Sequence, residues 1–412
     1  MFSWKFRFNV ALANAFEYYD IAIYSSILIY VSHHFFPAGY FGKSSLFLAL
    51  VTLALRFLAR PLGGVLIGLY ADKYSSKKAL ILTCFLSSLA TLCMSCLPTF
   101  EQAGLLATVL FCIMQLLQAF AYGGENPVSI VYLMENSTKS ERARTGSLIG
   151  GLSFLIVALS MGFVTLLKIF LTEDQMYEFG WRVPLLLGLV NLLFGFYFRL
   201  KLVDERENEK KNELKNIKLL PIAKVFLITA PSCLLFYTNS ICSTVLSEHL
   251  TQDKEVSTLI SVFSNIIFCI VSISMGYYID KFRSYHQELQ RAYLVMLILG
   301  VPVYLLHGLD SVYFILLSQL IICYFISVCI SAGPAVTYDH LSKHNKTTTY
   351  GIGYNCSAII FGGFTPMMVT FLSQYGQAYV GLLMSFGGLC YFAALALDKY
   401  TQPASAQVST AS

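Results

Sequence analysis

Long apolar segments fill almost the whole of this chain of 412 residues, and 56% of its residues are hydrophobic. A soluble domain of this length buries its core with far fewer apolar residues. Segments of about 20 apolar residues are long enough to cross a bilayer as helices. We count twelve of them, at approximately residues 8–30, 44–70, 79–97, 104–134, 146–170, 183–200, 221–247, 256–279, 292–308, 312–338, 350–373 and 379–397. The sequence therefore predicts an all-α membrane protein with twelve transmembrane helices.

A charged stretch, Lys201–Lys218, divides these segments into two sets of six. Eleven of its eighteen residues are charged, whereas only 12% of the whole chain is charged. Two apolar halves on either side of a polar loop are typical of membrane transporters. We predict two pseudo-symmetric six-helix bundles, a cytoplasmic linker between them and a disordered cytoplasmic tail, at residues 1–200, 221–398, 201–220 and 399–412 respectively.

A short motif of the first half returns in the second half, at the end of predicted spans 2 and 8. In both copies a Gly is followed four residues later by Asp-Lys, and the copies are Gly68, Asp72, Lys73 and Gly276, Asp280, Lys281. Gly allows close helix approach, and the Asp and Lys can bond neighbouring helix ends when the cytoplasmic side is shut. We interpret the motif as a cytoplasmic gate.

The basic residues predict the orientation of the chain, because Lys and Arg accumulate in cytoplasmic loops. With the N-terminus inside, the inner segments hold most of the linker and Lys5, Arg7, Lys73, Lys77, Lys78, Lys139, Arg142, Arg144, Arg199, Lys281, Arg283, Arg291, Lys343, Lys346 and Lys399. Both termini are thus predicted to be cytoplasmic. The net charge of +5 reflects this asymmetry, and it does not indicate nucleic-acid binding.

Polar and charged side chains inside the first-half spans are the main candidates for function, since each buried charge costs roughly 2.5–3.5 kcal/mol to insert. They include Asn14, Glu17, Asp20, Arg56, Arg60, Gln115, Gln118 and Glu125. Measured along each helix from its cytoplasmic end, Glu17 and Glu125 lie roughly 15 Å deep and Arg60 roughly 18 Å deep. We predict that Arg60 pairs with Glu17 or Glu125 in a proton and substrate site. A static ion-pair clamp between helices is the alternative.

The interiors of the second-half spans carry no acidic or basic residue. They offer uncharged polar and aromatic side chains, among them Tyr237, Asn239, Tyr354 and Asn355. Charges in one half and uncharged groups in the other favour a site between the halves, near mid-membrane. Hydrogen bonds that only pack helices together are the alternative for each of these residues.

No motif predicts an enzyme or a bound cofactor. All eleven cysteines lie in apolar segments, where Cys behaves as a small hydrophobe, so we predict no metal site. The chain contains no nucleotide-binding loop and no hydrolase or metalloprotease motif. A non-transporting membrane sensor is a further alternative, although it would be expected to carry an added signalling domain.

The polar motifs resemble those of the major facilitator superfamily, and within it the metabolite:proton symporter family that includes proline/betaine, shikimate, citrate and 2-oxoglutarate carriers. The resemblance covers nearly the whole chain. The matching stretches are Asn14-Ala-Phe-Glu17-Tyr18-Tyr19-Asp20, Arg60-Pro61-Leu-Gly63-Gly64, Leu117-Gln118-Ala-Phe-Ala-Tyr-Gly123-Gly124-Glu125, Gly180-Trp181-Arg182-Val-Pro184, and Tyr354-Asn355 with Phe361-Gly362-Gly363-Phe-Thr365-Pro366.

This resemblance implies a monomeric secondary active transporter of a bacterial cytoplasmic (inner) membrane. Such a protein would import a zwitterionic osmolyte, an amino acid or an organic carboxylate by proton symport with alternating access. Glu17 or Asp20 would accept the proton, and Arg56 and Arg60 would attract a carboxylate. Transport by uniport or exchange without protons is the alternative, because Gln115 stands where the family usually has an Arg. Tyr18 replaces the family's usual Trp, and Ser75-Ser76 replace the Gly-Arg of its loop motif.

Overall fold

The computed structural model describes residues 3–41, 45–202, 217–250, 254–307, 309 and 312–401, and this part contains helices and no strand. The helices are α1 (Trp4–Ser26), α2 (Leu28–Phe35), α3 (Ala38–Phe41), α4 (Ser45–Lys73), α5 (Ser76–Cys96), α6 (Phe100–Ala103), α7 (Leu105–Glu135), α8 (Arg142–Phe170), α9 (Glu173–Gln175), α10 (Arg182–Leu200), α11 (Leu219–Leu250), α12 (Lys254–Phe282), α13 (Tyr285–His307), α14 (Val312–Asp339), α15 (Lys346–Ala358), α16 (Thr365–Ser373) and α17 (Gln377–Thr401). Most of the linker (203–216) and the tail from 402 onward lie outside the described residues, so both remain predictions.

The all-α class is confirmed, and the predicted spans coincide with helices. Nine helical stretches of the described chain are long and apolar enough to cross a bilayer. The first predicted span is broken at Ile27 into α1 and α2, and the eleventh contains a π-helical turn at Ile359–Gly363 between α15 and α16. Such π-turns often occur at functional sites.

The two halves meet along a defined set of helices. In the first half α7 packs against α4 and α5, and α1 packs against α8 and α10. In the second half α13 packs against α14 and α17, and α11 packs against α14, α15 and α17. Between the halves, α8 contacts α12 and α14, while α4 and α7 contact α15. We call the end of the bundle where α1 begins and α4 ends the terminal face.

Glycines allow the backbones of neighbouring helices to touch, as two contacts of α4 show. A Cβ added to Gly351 of α15 would lie 2.7 Å from the carbonyl oxygen of Gly64 in α4, so the halves meet there backbone to backbone. Within the first half, a Cβ on Gly123 of α7 would lie 2.6 Å from the Cα of Arg60. In a membrane the hydrophobic effect does not drive helices together, so the close packing that small residues allow at such crossings stabilises the helix contacts.

The Gly123 contact predicts a loss of stability in the Gly123→Ala variant. The added methyl meets backbone that cannot rotate away, and overpacking of this kind costs about 1–3 kcal/mol. We expect a lower midpoint of thermal unfolding in detergent. Gly39→Ala is the matched control, because a Cβ there meets nothing within 4 Å. Equal midpoints for the two variants would contradict the close α4–α7 contact.

Candidate functional site

A cavity of about 130 Å³ lies between the two halves. Its walls come from α1, α7 and α8 on one side and from α11, α14 and α15 on the other. The volume is several times the share of about 30 Å³ that one water occupies in the liquid, so a small solute fits. This is where a site shared by the halves was predicted.

Six aromatic rings, five of them tyrosines, form much of the cavity wall. They are Tyr18, Tyr122, Phe236, Tyr237, Tyr350 and Tyr354. The Tyr18 ring centroid lies 5.6 Å from that of Tyr122 and 6.4 Å from that of Phe236, which in turn lies 5.4 Å from that of Tyr237. Rings so arranged can present faces that attract a cation.

The guanidinium of Arg60 stacks against this aromatic wall. Its central carbon lies 4.5 Å from the Tyr122 ring centroid and 4.4 Å from that of Phe57. The hydroxyls of Tyr237 and Tyr354 interact with it electrostatically, and its Nε has no hydrogen-bond partner. Arg60 is therefore a buried cation next to the cavity.

The predicted pairing of Arg60 with Glu17 or Glu125 is wrong. Glu125 forms its ion pair with Arg199 of α10, and Thr83 donates a hydrogen bond of 2.7 Å to its other oxygen. Arg60 lies near the level of Glu125, since its Cα approaches Gly123 of α7, but its guanidinium lies against aromatic rings instead. Arg199 lies in the last turn of α10 and reaches Glu125 from there. Its position in a basic loop segment concealed this role.

Glu17 and Asn14 are buried on α1 without hydrogen-bond partners. Neither carboxylate oxygen of Glu17 and neither side-chain polar atom of Asn14 has one. Arg199 and Arg60 are the arginines whose charges act on Glu17. Buried polar groups without partners are rare, and each calls for an explanation such as water, an ion or a proton.

Asp20 and Arg56 belong to a separate polar network on α1, α4, α5 and α7. Arg56 donates hydrogen bonds to Gln115 Oε1 (2.8 Å) and Gln118 Oε1 (2.9 Å). Gln118 donates to the Thr91 hydroxyl (2.8 Å), which lies 3.2 Å from Asp20 Oδ2. Side chains therefore connect Arg56 to Asp20, and the guanidinium lies against Gln115, where the family usually has an arginine.

The predicted second-half residues divide into two groups. Tyr237 and Tyr354 line the cavity. Asn355 instead packs helices, because its amide donates 2.8 Å hydrogen bonds to the carbonyl oxygens of Gly123 and Gly351. The side chain of Asn239 lies outside the described part of the structure.

The two copies of the repeated motif make matching contacts at the terminal face. Asp72 at the end of α4 accepts hydrogen bonds from the backbone N–H groups of Thr347 (3.1 Å) and Thr348 (2.8 Å) at the start of α15. Asp280 at the end of α12 accepts them from Ala143 (3.1 Å) and Arg144 (2.8 Å) at the start of α8. Each carboxylate thus caps a helix N-terminus of the opposite half, where negative charge is favoured.

Two further ion pairs reinforce the terminal face, beside the pair of Arg144 with Asp280 at 3.5 Å. Arg142 of α8 pairs with Asp339 of α14, and Lys346 of α15 pairs with Glu135 of α7 at 2.8 Å. Both pairs join the two halves. The sequence showed these cations only as loop residues, because nothing in a local pattern reveals which acid of the other half faces them.

A multi-pass helical bundle with a solute-sized cavity between its halves defines a membrane transporter. The chain belongs to the Major Facilitator Superfamily, whose family model matches residues 10–366. It is 31% identical to a Staphylococcus aureus (strain MSSA476) protein named as a proline/betaine transporter, over 88% of this chain and 80% of that protein. It is 26% identical to the proline/betaine transporter of Escherichia coli (strain K12), over 92% of this chain and 80% of that protein.

Solved structures show the same fold. The chain superimposes with a TM-score of 0.74 on the proton:xylose symporter XylE, at 14% identity, with 96% of this chain and 95% of that one covered. The Escherichia coli fucose:proton symporter FucP gives a TM-score of 0.69 at 13% identity, with 97% and 99% covered. The predicted family and fold are therefore confirmed.

Proposed function

We propose that this protein imports a small zwitterion of the proline or betaine type by proton symport with alternating access. The observation that carries the proposal is the cavity, in which aromatic rings stand beside a buried guanidinium. A carboxylate suits a guanidinium, which can hold both of its oxygens at once. An alkylated ammonium suits the faces of tyrosine rings. The relatives named as proline/betaine transporters support the same choice of solute.

The proton path in this proposal belongs to the first half. Glu17 or Asp20 accepts the proton, since both carboxylates are buried on α1 close to the cavity residue Tyr18. Arg56 supplies the positive charge that Gln115 lacks, because its guanidinium contacts that residue directly. The bound solute takes over Arg60.

The terminal face is the cytoplasmic face in this proposal. The basic residues of the sequence favour that orientation, and the caps made by Asp72 and Asp280 hold this face shut until solute and proton are bound. Residues 1–200 and 221–398 then act as two bundles that close alternately over the cavity. The protein works as a monomer in a bacterial inner membrane.

Uniport or exchange without protons is the second candidate. The observation that favours it is the neutral amide of Gln115, which accepts a hydrogen bond from Arg56 and cannot itself carry charge.

Uptake into proteoliposomes tests both functions. A panel of labelled osmolytes, amino acids and organic acids is offered with and without an imposed pH gradient, acid outside. Symport predicts accumulation only with the gradient, whereas uniport predicts equilibration in both conditions. If no member of the panel is transported, the proposed solute class is rejected.

The aromatic wall predicts a weaker affinity in the Tyr237→Leu variant. One ring–cation contact is worth about 0.5–2 kcal/mol, so the KM for betaine should rise by roughly 2- to 30-fold. Tyr237→Phe keeps the ring and should lie close to the wild type in betaine affinity. Tyr313→Leu is the matched control, because Tyr313 is 84% exposed on the bundle surface. Equal KM values for Tyr237→Leu and the control would contradict a ring contact with solute.

A further inference from the structure

Four first-half helices bring one arginine and two carboxylates together, away from the cavity. We call Glu17 of α1, Thr83 and Cys84 of α5, Glu125 of α7 and Arg199 of α10 the Arg199 cluster. All five side chains are buried. One member of the cluster, Glu17, is next to the cavity residue Tyr18 on α1.

The two carboxylates of the cluster have unequal partners. Glu125 has the ion pair with Arg199 and the hydrogen bond from Thr83. Glu17 has no hydrogen bond to either oxygen, although the charge of Arg199 acts on it more strongly than that of Arg60. Arg199 is therefore ion-paired with Glu125, whereas Glu17 has no ion pair within the described part of the chain. Leaving a buried charge without a partner is strongly unfavourable, so the acid that lacks the arginine is expected to hold a proton.

Arg199 also contacts the helical turn of α1 that leads to Glu17. Its Nη2 lies 3.4 Å from the carbonyl oxygen of Ala13, one helical turn before Glu17. Cys84 of α5 interacts electrostatically with Arg199 and with Glu17. The guanidinium thus contacts both Glu125 and the backbone of the α1 turn that leads to Glu17.

A second, small cavity lies beside Arg199, on the side of the cluster nearer the terminal face. It has a volume of about 10 Å³ and is lined by Val10, Ala13, Leu80, Ser129, Phe198, Arg199 and Leu202. These residues lie on the same four helices or just past the end of α10, about one turn nearer the terminal face than the cluster acids. The volume is close to the minimum that holds one water. The small cavity therefore has room for one water beside Arg199.

We propose that Arg199 is a positioning residue for proton coupling, which pairs with whichever of Glu17 and Glu125 has released its proton. The inference rests on the proposed symport. Glu17 gains a proton from the cavity side while Arg199 holds Glu125. The proton then passes to Glu125 as Arg199 moves to Glu17, and Glu125 releases it to water in the small cavity. One proton enters, one leaves, and Arg199 returns to Glu125.

The test compares Arg199→Gln with wild-type protein in proteoliposomes by three measurements: solute exchange without a pH gradient, accumulation driven by the gradient, and the pH profile of uptake. We expect exchange to persist, accumulation to fall by about tenfold or more, and the pH profile to flatten, because the two acids lose their shared cation. Arg199→Lys keeps the charge and should retain part of the accumulation. Arg182→Gln is the control, since that arginine stacks on Trp181 at the opposite end of α10.

Thr83→Val provides a second test if Arg199→Gln does not fold. It removes only the hydroxyl that binds Glu125, and it should shift the pH profile without abolishing exchange. If the wild-type protein is coupled but the pH profile of uptake is unchanged in Arg199→Gln, this inference alone is overturned. The same result in Thr83→Val overturns it when Arg199→Gln does not fold. Wild-type protein that exchanges solute without any response to the pH gradient would instead overturn the proposed symport.

Discussion

Replacement of Glu17 by Gln is expected to abolish accumulation of solute against its gradient while exchange across the membrane continues. The amide has nearly the shape of the carboxyl group but does not ionise, so it cannot take up and release a proton. Because neither oxygen of Glu17 has a hydrogen-bond partner, the change breaks no hydrogen bond of the folded protein. Accumulation driven by a pH gradient and exchange without one, measured on the same proteoliposomes, separate coupling from binding.

Asp20→Asn is the comparison at the neighbouring turn. Thr91 and Ser87 lie within hydrogen-bond distance of Asp20 Oδ2, at 3.2 and 3.4 Å, so its charge is already held by a network. We expect this variant to lose stability more than coupling. If Glu17→Gln still accumulates solute and Asp20→Asn does not, Asp20 is the proton carrier.

Opening of the terminal face is the second large expected effect, in the double variant Asp72→Asn with Asp280→Asn. In the wild-type protein both carboxylate oxygens accept hydrogen bonds from backbone N–H groups. Each amide replaces one of these oxygens with an N–H₂ group, which cannot accept a hydrogen bond from a backbone N–H. Hydrogen bonds to charged groups contribute about 1.5–3 kcal/mol, so each loss should shift the balance toward the open form by roughly 10- to 150-fold. The two sites lie on different helix pairs, and their effects should add.

Labelling of a cysteine placed in the cavity measures this opening. Thr337 lines the cavity and lies near the end of α14, so Thr337→Cys should react faster with a maleimide added from the terminal side in the double variant. Labelling is compared with the same protein that keeps Thr337, to subtract the native thiols. Glu101→Gln, at an exposed position in α6, is the control for loss of a negative charge. An unchanged labelling rate would contradict the gate.

The polar network around Gln115 shows a tertiary contact that changes how a sequence motif is interpreted. The resemblance places an arginine where this chain has Gln115, and the sequence offers Arg56 as the cation that would supply the missing charge. In the structure Arg56, which comes from a different helix, donates directly to Gln115 and Gln118. The sequence alone could not show this contact, because residues 59 positions apart meet only when α4 and α7 pack.

The sequence by itself determined the properties that depend on local pattern. Apolar length predicted the helices and the bilayer, the repeated motif with Asp72 and Asp280 predicted matching positions in the two halves, and the motifs predicted the family. Tertiary structure alone decided which charges are partners. Arg199 pairs with Glu125 and leaves Arg60 to the aromatic wall, because pairing depends on helix length, rotation and side-chain reach. Those quantities are set by packing between helices, whereas hydropathy and spacing report only on positions within one helix.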